Sequence, residues 1–410
     1  MDKARLGEFA DFGNKTTYVA PKTDLEIELV GVMEAVLGHQ PIGLKDSFFS
    51  LGGDSIKSIQ LAAKLKRKDL ILKVQDILRA KDVQALAALI KKAERKIDQS
   101  TVTGRVQLTP IQRAFFDFEL PHPEHYNQSI VLKSRKKLNH EVIRQCLTHL
   151  VTHHDALRMV FIEKDGVWSQ THQDNLEAAF SLTYEEISSS EDIYAKIEAV
   201  GNKIQSGIDL TKGPLLQVCH FAAEGADRVG LIVHHLIMDG ISWRILLEDL
   251  AILYDQIDQG NDPGLQPKTD SFKYWSQQLQ RYSDSLTAEA AFWTDNSWEV
   301  APNKIQDIAA SSKRFFYNNT QMLFLSEDMT ERIQTQVHHA LDTEINDVLL
   351  AGLGLALKDV FDINQSIVQM EGHGREEVIP EVDVNRTVGW FTSVYPFLLS
   401  VRSGQALEVL

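Results

Sequence analysis

Val229-Gly-Leu-Ile-Val233-His234-His235-Leu-Ile-Met-Asp239-Gly240-Ile-Ser242-Trp243 decides how the larger part of the chain reads. The apolar opening suits a buried strand through His235, and the apolar spacing from Ile241 to Ile257 predicts a long amphipathic helix directly after it. Successive strand residues face opposite sides of a sheet, so His234 and His235 cannot both address one ligand. This weighs against a metal triad of His234, His235 and Asp239. It favours one histidine packed as structure and the other facing a cleft.

Outward from this run, helical spacing recurs over Val142–Val151 and Glu344–Phe361, and Ser366–Met370 reads as a second buried strand. Alternating helices and strands of this length predict layered α/β lobes around a cleft. The N-terminal quarter differs. Thr23-Asp-Leu-Glu26 has capping-box spacing, Leu25, Leu29, Val32, Met33 and Val36 follow on one helix face, and Gly38 stands where a left-handed cap belongs. Ile56, Ile59 and Ala63 mark another helix and Val83–Ile90 a third, giving a small all-α unit over residues 23–93. The polar residues 1–22 and 94–107 read as linkers.

Composition narrows the function. Hydrophobic residues make up 43% and charged residues 24%, a folded and soluble profile, and 410 residues predict two or three domains. The net charge of −15 argues against a broad nucleic-acid or anionic-membrane surface, since phosphate binding requires clustered positive charge. The N-terminus lacks the apolar core of a signal peptide. Cys146 and Cys219 cannot build a disulfide framework or a four-thiolate zinc site. A reducing, cytoplasmic setting is expected.

In Leu51-Gly52-Gly53-Asp54-Ser55 two glycines permit a tight turn, and Ser55 then opens the helix carrying Ile56 and Ile59. A hydroxyl at a helix N-terminus is exposed and suited to a phosphodiester, although a plain Asp or Ser cap gives the same pattern. Preceded by a capped helix and Asp46-Ser-Phe-Phe49, and followed by two further helices, LGGDSIKS resembles the peptidyl carrier domain of non-ribosomal peptide synthetases. That resemblance implies a four-helix-type bundle and 4′-phosphopantetheine carried covalently on Ser55 by the action of a phosphopantetheinyl transferase.

HHxxxDG resembles the core motif of the condensation superfamily, whose fold is two-lobed and chloramphenicol-acetyltransferase-like. The resemblance implies that His235 is the acid/base group, with His234 and Asp239 in support and Asp239 ion-paired; Arg158, in His153-His154-Asp155-Ala-Leu-Arg158, is the expected partner. Glu371-Gly-His-Gly-Arg375-Glu376 reads on its own as a glycine-rich turn with a solvated acid. It also resembles the motif of epimerization domains, as do Thr387-Val-Gly-Trp390-Phe-Thr, Leu108-Thr-Pro-Ile-Gln112 and Thr269-Asp-Ser-Phe272. The implied lobes are residues 108–280 and 281–410. Relatives continue past VGWFTS, so the second lobe is expected to be incomplete at Leu410.

Epimerizing an aminoacyl thioester requires one group to take the Cα proton and another to return a proton on the opposite face. Imidazole suits either task near neutral pH, and a carboxyl group does so if desolvation raises its proton affinity. The resemblance therefore implies His235 and Glu371 as the pair, with Arg375 orienting Glu371 or steadying enolate charge, and no metal. An adenylation domain upstream and a condensation domain downstream are the implied partners. Alternatives are condensation through the same histidine and a non-catalytic carrier and docking fragment.

Overall fold

The computed structural model describes residues 18–53, 55–66, 68, 70–92, 96–295, 321–333, 343, 345–379 and 382–401. In the N-terminal unit, helix α1 (Asp24–Leu37) opens as its sequence dictates. The Thr23 hydroxyl accepts the Glu26 N–H at 3.2 Å, and the Glu26 carboxylate accepts the Thr23 N–H at 2.9 Å. Gly38 closes the helix at φ +69°, a conformation that costs a glycine little. Helices α2 (Ser55–Lys66), α3 (Val74–Arg79) and α4 (Val83–Leu89) pack with α1 around Leu29, Met33, Phe48, Leu61, Leu65 and Leu86. Each such side chain contributes about 1.5–3 kcal/mol on burial. A two-residue ladder, β1 (Leu70–Ile71) with β2 (Lys91–Lys92), ties the segment between α2 and α3 to the unit's C-terminal end.

The expected linker over 94–107 is partly docked on the larger unit. Gln99 exchanges two hydrogen bonds with the Lys268 backbone, Arg158 donates to the Val102 carbonyl, and β3 (Arg105–Val106) pairs with a strand of the larger unit. That unit continues with α5 (Pro110–Asp117), β4 (Asn127–Lys133), α6 (His140–His153), β5 (Met159–Lys164), β6 (Val167–His172), β7 (Phe180–Ile187), α7 (Ile193–Gln205), β8 (Leu216–Ala223), β9 (Arg228–His234), α8 (Gly240–Asp258) and α9 (Phe272–Ser285).

Its main sheet has the order β4-β9-β8-β7, antiparallel except for the parallel pair β8–β7. Alternation along β8 sends Leu216 and Val218 into the core shared with α6 and α8, and Cys219 and Phe221 toward α7. The sheet is thus covered on both faces. A smaller antiparallel sheet, β3-β6-β5, flanks it. Farther along, the Ile345–Phe361 helix precedes β10 (Gln365–Gly372), which pairs antiparallel with β11 (Ser393–Ser400). Among the described residues no helix is long and apolar enough to cross a membrane.

Candidate active site at the end of β9

Strand β9 ends one residue earlier than its sequence suggests. His234 pairs with Asn127 in the antiparallel register, and His235 begins a short 3-10 turn to Ile237. The two imidazoles then part. His234 is fully buried; its Nε2 donates to the Pro123 carbonyl at 2.8 Å, while its Nδ1 accepts the Leu236 N–H at 3.2 Å. Both nitrogens are used by the fold, and burial pushes the ring down to about 4, so it stays neutral near pH 7.

His235 is half-buried, and its Nδ1 lies 2.7 Å from the Met238 carbonyl oxygen. That oxygen can only accept, so Nδ1 carries the proton and Nε2 keeps a free lone pair. This is the tautomer a general base needs. Two neighbouring aromatic rings pack against the imidazole: Tyr126, stacked at 5.2 Å with 15° between planes, and Trp390, tilted at 4.6 Å. The register supplies Tyr126, because it precedes Asn127 on β4 and its carbonyl accepts the His235 N–H at 2.9 Å.

Asp239 caps α8, accepting the Ser242 N–H at 2.8 Å. Its ionic partner is Arg375. Nη2 of that arginine donates to both carboxylate oxygens, at 3.1 and 3.2 Å, and to the Ser242 hydroxyl at 2.9 Å. Nη1 donates to the carbonyls of Val384 and Thr387, and the guanidinium lies 3.9 Å over the Phe391 ring. The Phe391 N–H also reaches Asp239, and Ser242 and Gly389 bond each other in both directions. A buried carboxylate held by this many donors is satisfied, which burial of a charge demands.

Two expectations are corrected here. Arg158 does not meet Asp239: it is buried elsewhere, donating to the carbonyls of Val151 and Val102. Arg375 is committed to Asp239 and to backbone carbonyls, and none of its described hydrogen bonds goes to Glu371.

Glu371 sits near the end of β10, exposed, with Val394 opposite it in the ladder. Its charge reaches Tyr126, where burial and Glu371 together raise the phenol's pKa. His235 and Glu371 thus both bear on one residue, Tyr126: the imidazole by stacking, the carboxylate by its charge. The loop that follows β10 depends on glycine: Gly374 has φ +68°, and a Cβ there would overlap the Phe391 carbonyl. Tyr126 is the site residue that sequence reasoning missed; its only signal is a position just before a strand.

His153 and His154, expected on the helix surface or in the core, end α6. Nε2 of His154 lies 2.9 Å from Asp249, which is also gripped by Arg386. Cys146 and Cys219 are buried, and burial pushes both thiols up to about 12.

In the N-terminal unit the turn before Ser55 has the expected shape. Gly52 adopts φ +82°, its carbonyl accepts Lys57 Nζ at 2.6 Å, and Gly53 lies so close to the Phe48 ring and carbonyl that no Cβ fits. Ser55 begins α2, so the backbone suits a helix-start attachment point; Asp54 and the Ser55 side chain lie outside the described residues.

A family described as the phosphopantetheine attachment site matches residues 28–90, and the condensation domain family matches residues 102–410. Surfactin synthase subunit 1 of Bacillus subtilis (strain 168) is 40% identical over 412 residues, covering 99% of this chain and 12% of that protein. The crystal structure of the epimerization domain from the third module of tyrocidine synthetase B is 36% identical. It superposes with a TM-score of 0.67 over 77% of this chain and 71% of that one. The first condensation domain of the calcium-dependent antibiotic synthetase shares the fold, at 20% identity and a TM-score of 0.59 over 76% of this chain and 73% of that one. The chain thus spans a small part of its curated relative's length. By these matches the chain belongs to the condensation-domain family, that domain being preceded by a phosphopantetheine-attachment domain in the manner of non-ribosomal peptide synthetases.

Proposed function

We propose that residues 108–410 epimerize an aminoacyl or peptidyl thioester carried on Ser55, acting from two lobes divided near residue 280. The observation that supports this reading is that Tyr126, stacked on His235, also feels the charge of Glu371, while Arg375 of the same glutamate-bearing motif is paired to Asp239 of the histidine motif. Condensation needs only the histidine, and leaves the carboxylate of EGHGRE without a task.

When bound, 4′-phosphopantetheine supplies a thiol that activates the acyl group and an arm that reaches the cleft. The chain's own residues do the rest. Nε2 of His235, freed by the Nδ1–H to Met238, takes the Cα proton; the electron pair of the broken C–H bond delocalises onto the thioester carbonyl. Glu371 is the group assigned to the opposite face, its O–H bond breaking to leave a carboxylate as the new Cα–H bond forms. Run backwards, the roles exchange, and no oxidant or reductant is consumed. Asp239 and Arg375 hold the two motifs together from behind. The implied neighbours are an adenylation domain that loads the arm, a condensation domain that accepts the D product and a phosphopantetheinyl transferase.

The test loads the phosphopantetheinylated protein with an L-aminoacyl group in deuterated water, hydrolyses it and analyses chirality and mass. A D/L mixture with deuterium at Cα, lost in His235→Ala and Glu371→Gln, is expected. Exchange that appears only with a second acyl substrate present would instead indicate condensation. Ser55→Ala should take up no pantetheine arm.

A further inference from the structure

Three groups that do no proton chemistry of their own lie against the His235 imidazole. Nδ1 faces the Met238 carbonyl, the Tyr126 ring lies nearly parallel to it, and the Trp390 indole leans on it at 4.6 Å. The aromatics also brace each other. Phe115 stands 5.1 Å from Tyr126 and 6.3 Å from Trp390, and Tyr126 and Trp390 are 5.9 Å apart. No described hydrogen bond uses Nε2, which is left to meet a substrate.

Trp390 is an expensive choice for mere filling. It is 3% exposed, and its indole N–H has no hydrogen-bond partner among the described residues. A buried donor left unpaired costs about 1–3 kcal/mol, which a phenylalanine or leucine of similar reach would avoid. Indole does offer the most electron-rich face of any side chain, and a cation within about 6 Å of such a face is attracted to it. Both ring centroids at His235 fall inside that distance.

We propose that Tyr126 and Trp390 form an aromatic clamp on His235, fixing the ring and stabilising the imidazolium that forms once Nε2 has taken a proton. They are positioning residues, acting through His235. The clamp's role in catalysis rests on the epimerization reading; the clamp itself does not. The other charges about the ring are few. His234, beside it, is neutral; Glu124 lies on the turn before β4; Asp239 on α8 is neutralised by Arg375; and Glu371 stands on β10, its charge felt at Tyr126.

The experiment compares aromatic and aliphatic replacements in the full chain carrying these residues: Tyr126→Phe with Tyr126→Leu, and Trp390→Phe with Trp390→Leu. The His235 ring is titrated by NMR, and Cα exchange is followed in parallel. The aliphatic variants should lower the His235 titration midpoint by about 0.5–1 unit, and the phenylalanine variants should hold it near wild type. Exchange should fall about tenfold in the aliphatic variants and be largely retained in the aromatic ones. Equal midpoints in the Phe and Leu variants, or equal losses in both, would overturn the clamp. A normal midpoint pattern with no exchange even in the wild type would leave the clamp standing and overturn the epimerization reading instead.

Discussion

Nη2 of Arg375 touches both carboxylate oxygens of Asp239, at 3.1 and 3.2 Å, across 136 residues of sequence. Both groups are buried, so neither charge can fall back on water.

Removing one partner should therefore be worse than weakening it. Arg375→Met strands the Asp239 carboxylate and should cost about 3–5 kcal/mol. Arg375→Lys keeps the charge but cannot fork to Asp239 while also reaching Val384 and Thr387, and should fall between. Denaturant unfolding of the two variants beside wild type checks the order; equal stability would remove the pair from the fold's supports.

Gly374→Ala should be the most damaging single-methyl change in the second motif. Its φ of +68° disfavours any side chain, and the new carbon would meet the Phe391 carbonyl. The loop can only answer by moving, which carries Glu371 with it. Cα exchange should drop by at least about 100-fold while pantetheine attachment proceeds normally. Intact-protein mass spectrometry reads the second quantity and chiral analysis the first.

The carrier has a matching position. A methyl on Gly53 would collide with the Phe48 ring and carbonyl, and overpacking of that kind costs about 1–3 kcal/mol. Gly53→Ala should lower the carrier's melting temperature and slow pantetheine attachment at Ser55. Unchanged attachment kinetics would mean that the turn yields more easily than its geometry indicates.

His234 predicts a pH dependence of stability. Burial pushes its pKa from 6.5 down to about 4. The unfolded chain binds this proton near pH 6.5, and the folded protein only near pH 4. Stability from this group is complete above about pH 6.5 and is lost as the pH falls between those values, by about 1.4 kcal/mol per unit. NMR of the His234 ring should report the neutral Nε2–H tautomer at pH 5. A charged ring at that pH would contradict the assigned burial.

What the sequence made legible was whatever depends on local spacing. The Thr23–Glu26 box, the left-handed Gly38 and the helix after Asp239 are all settled within a few residues, and they appear as read. The opposite facing of His234 and His235 also followed from period-two alternation, although the strand ends at His234 and a 3-10 turn carries His235 outward. Partners distant in sequence were harder. Nothing in the spacing distinguishes Arg158 from Arg375 as the counter-ion of Asp239; only the packing of the second motif behind α8 decides it. Tyr126 was missed for the same reason, because its place beside His235 is a product of β4–β9 register.

The Asp239 and Arg375 pair, with Ser242, Gly389 and Phe391 bonded around it, knots three separate signature segments at one point. None of the three is mechanically independent of the others. Anyone building hybrid assembly lines by transplanting the glutamate-bearing loop alone would graft an arginine with no aspartate waiting in register. The smallest transferable piece is the whole trio, cut outside residues 234–242 and 371–391.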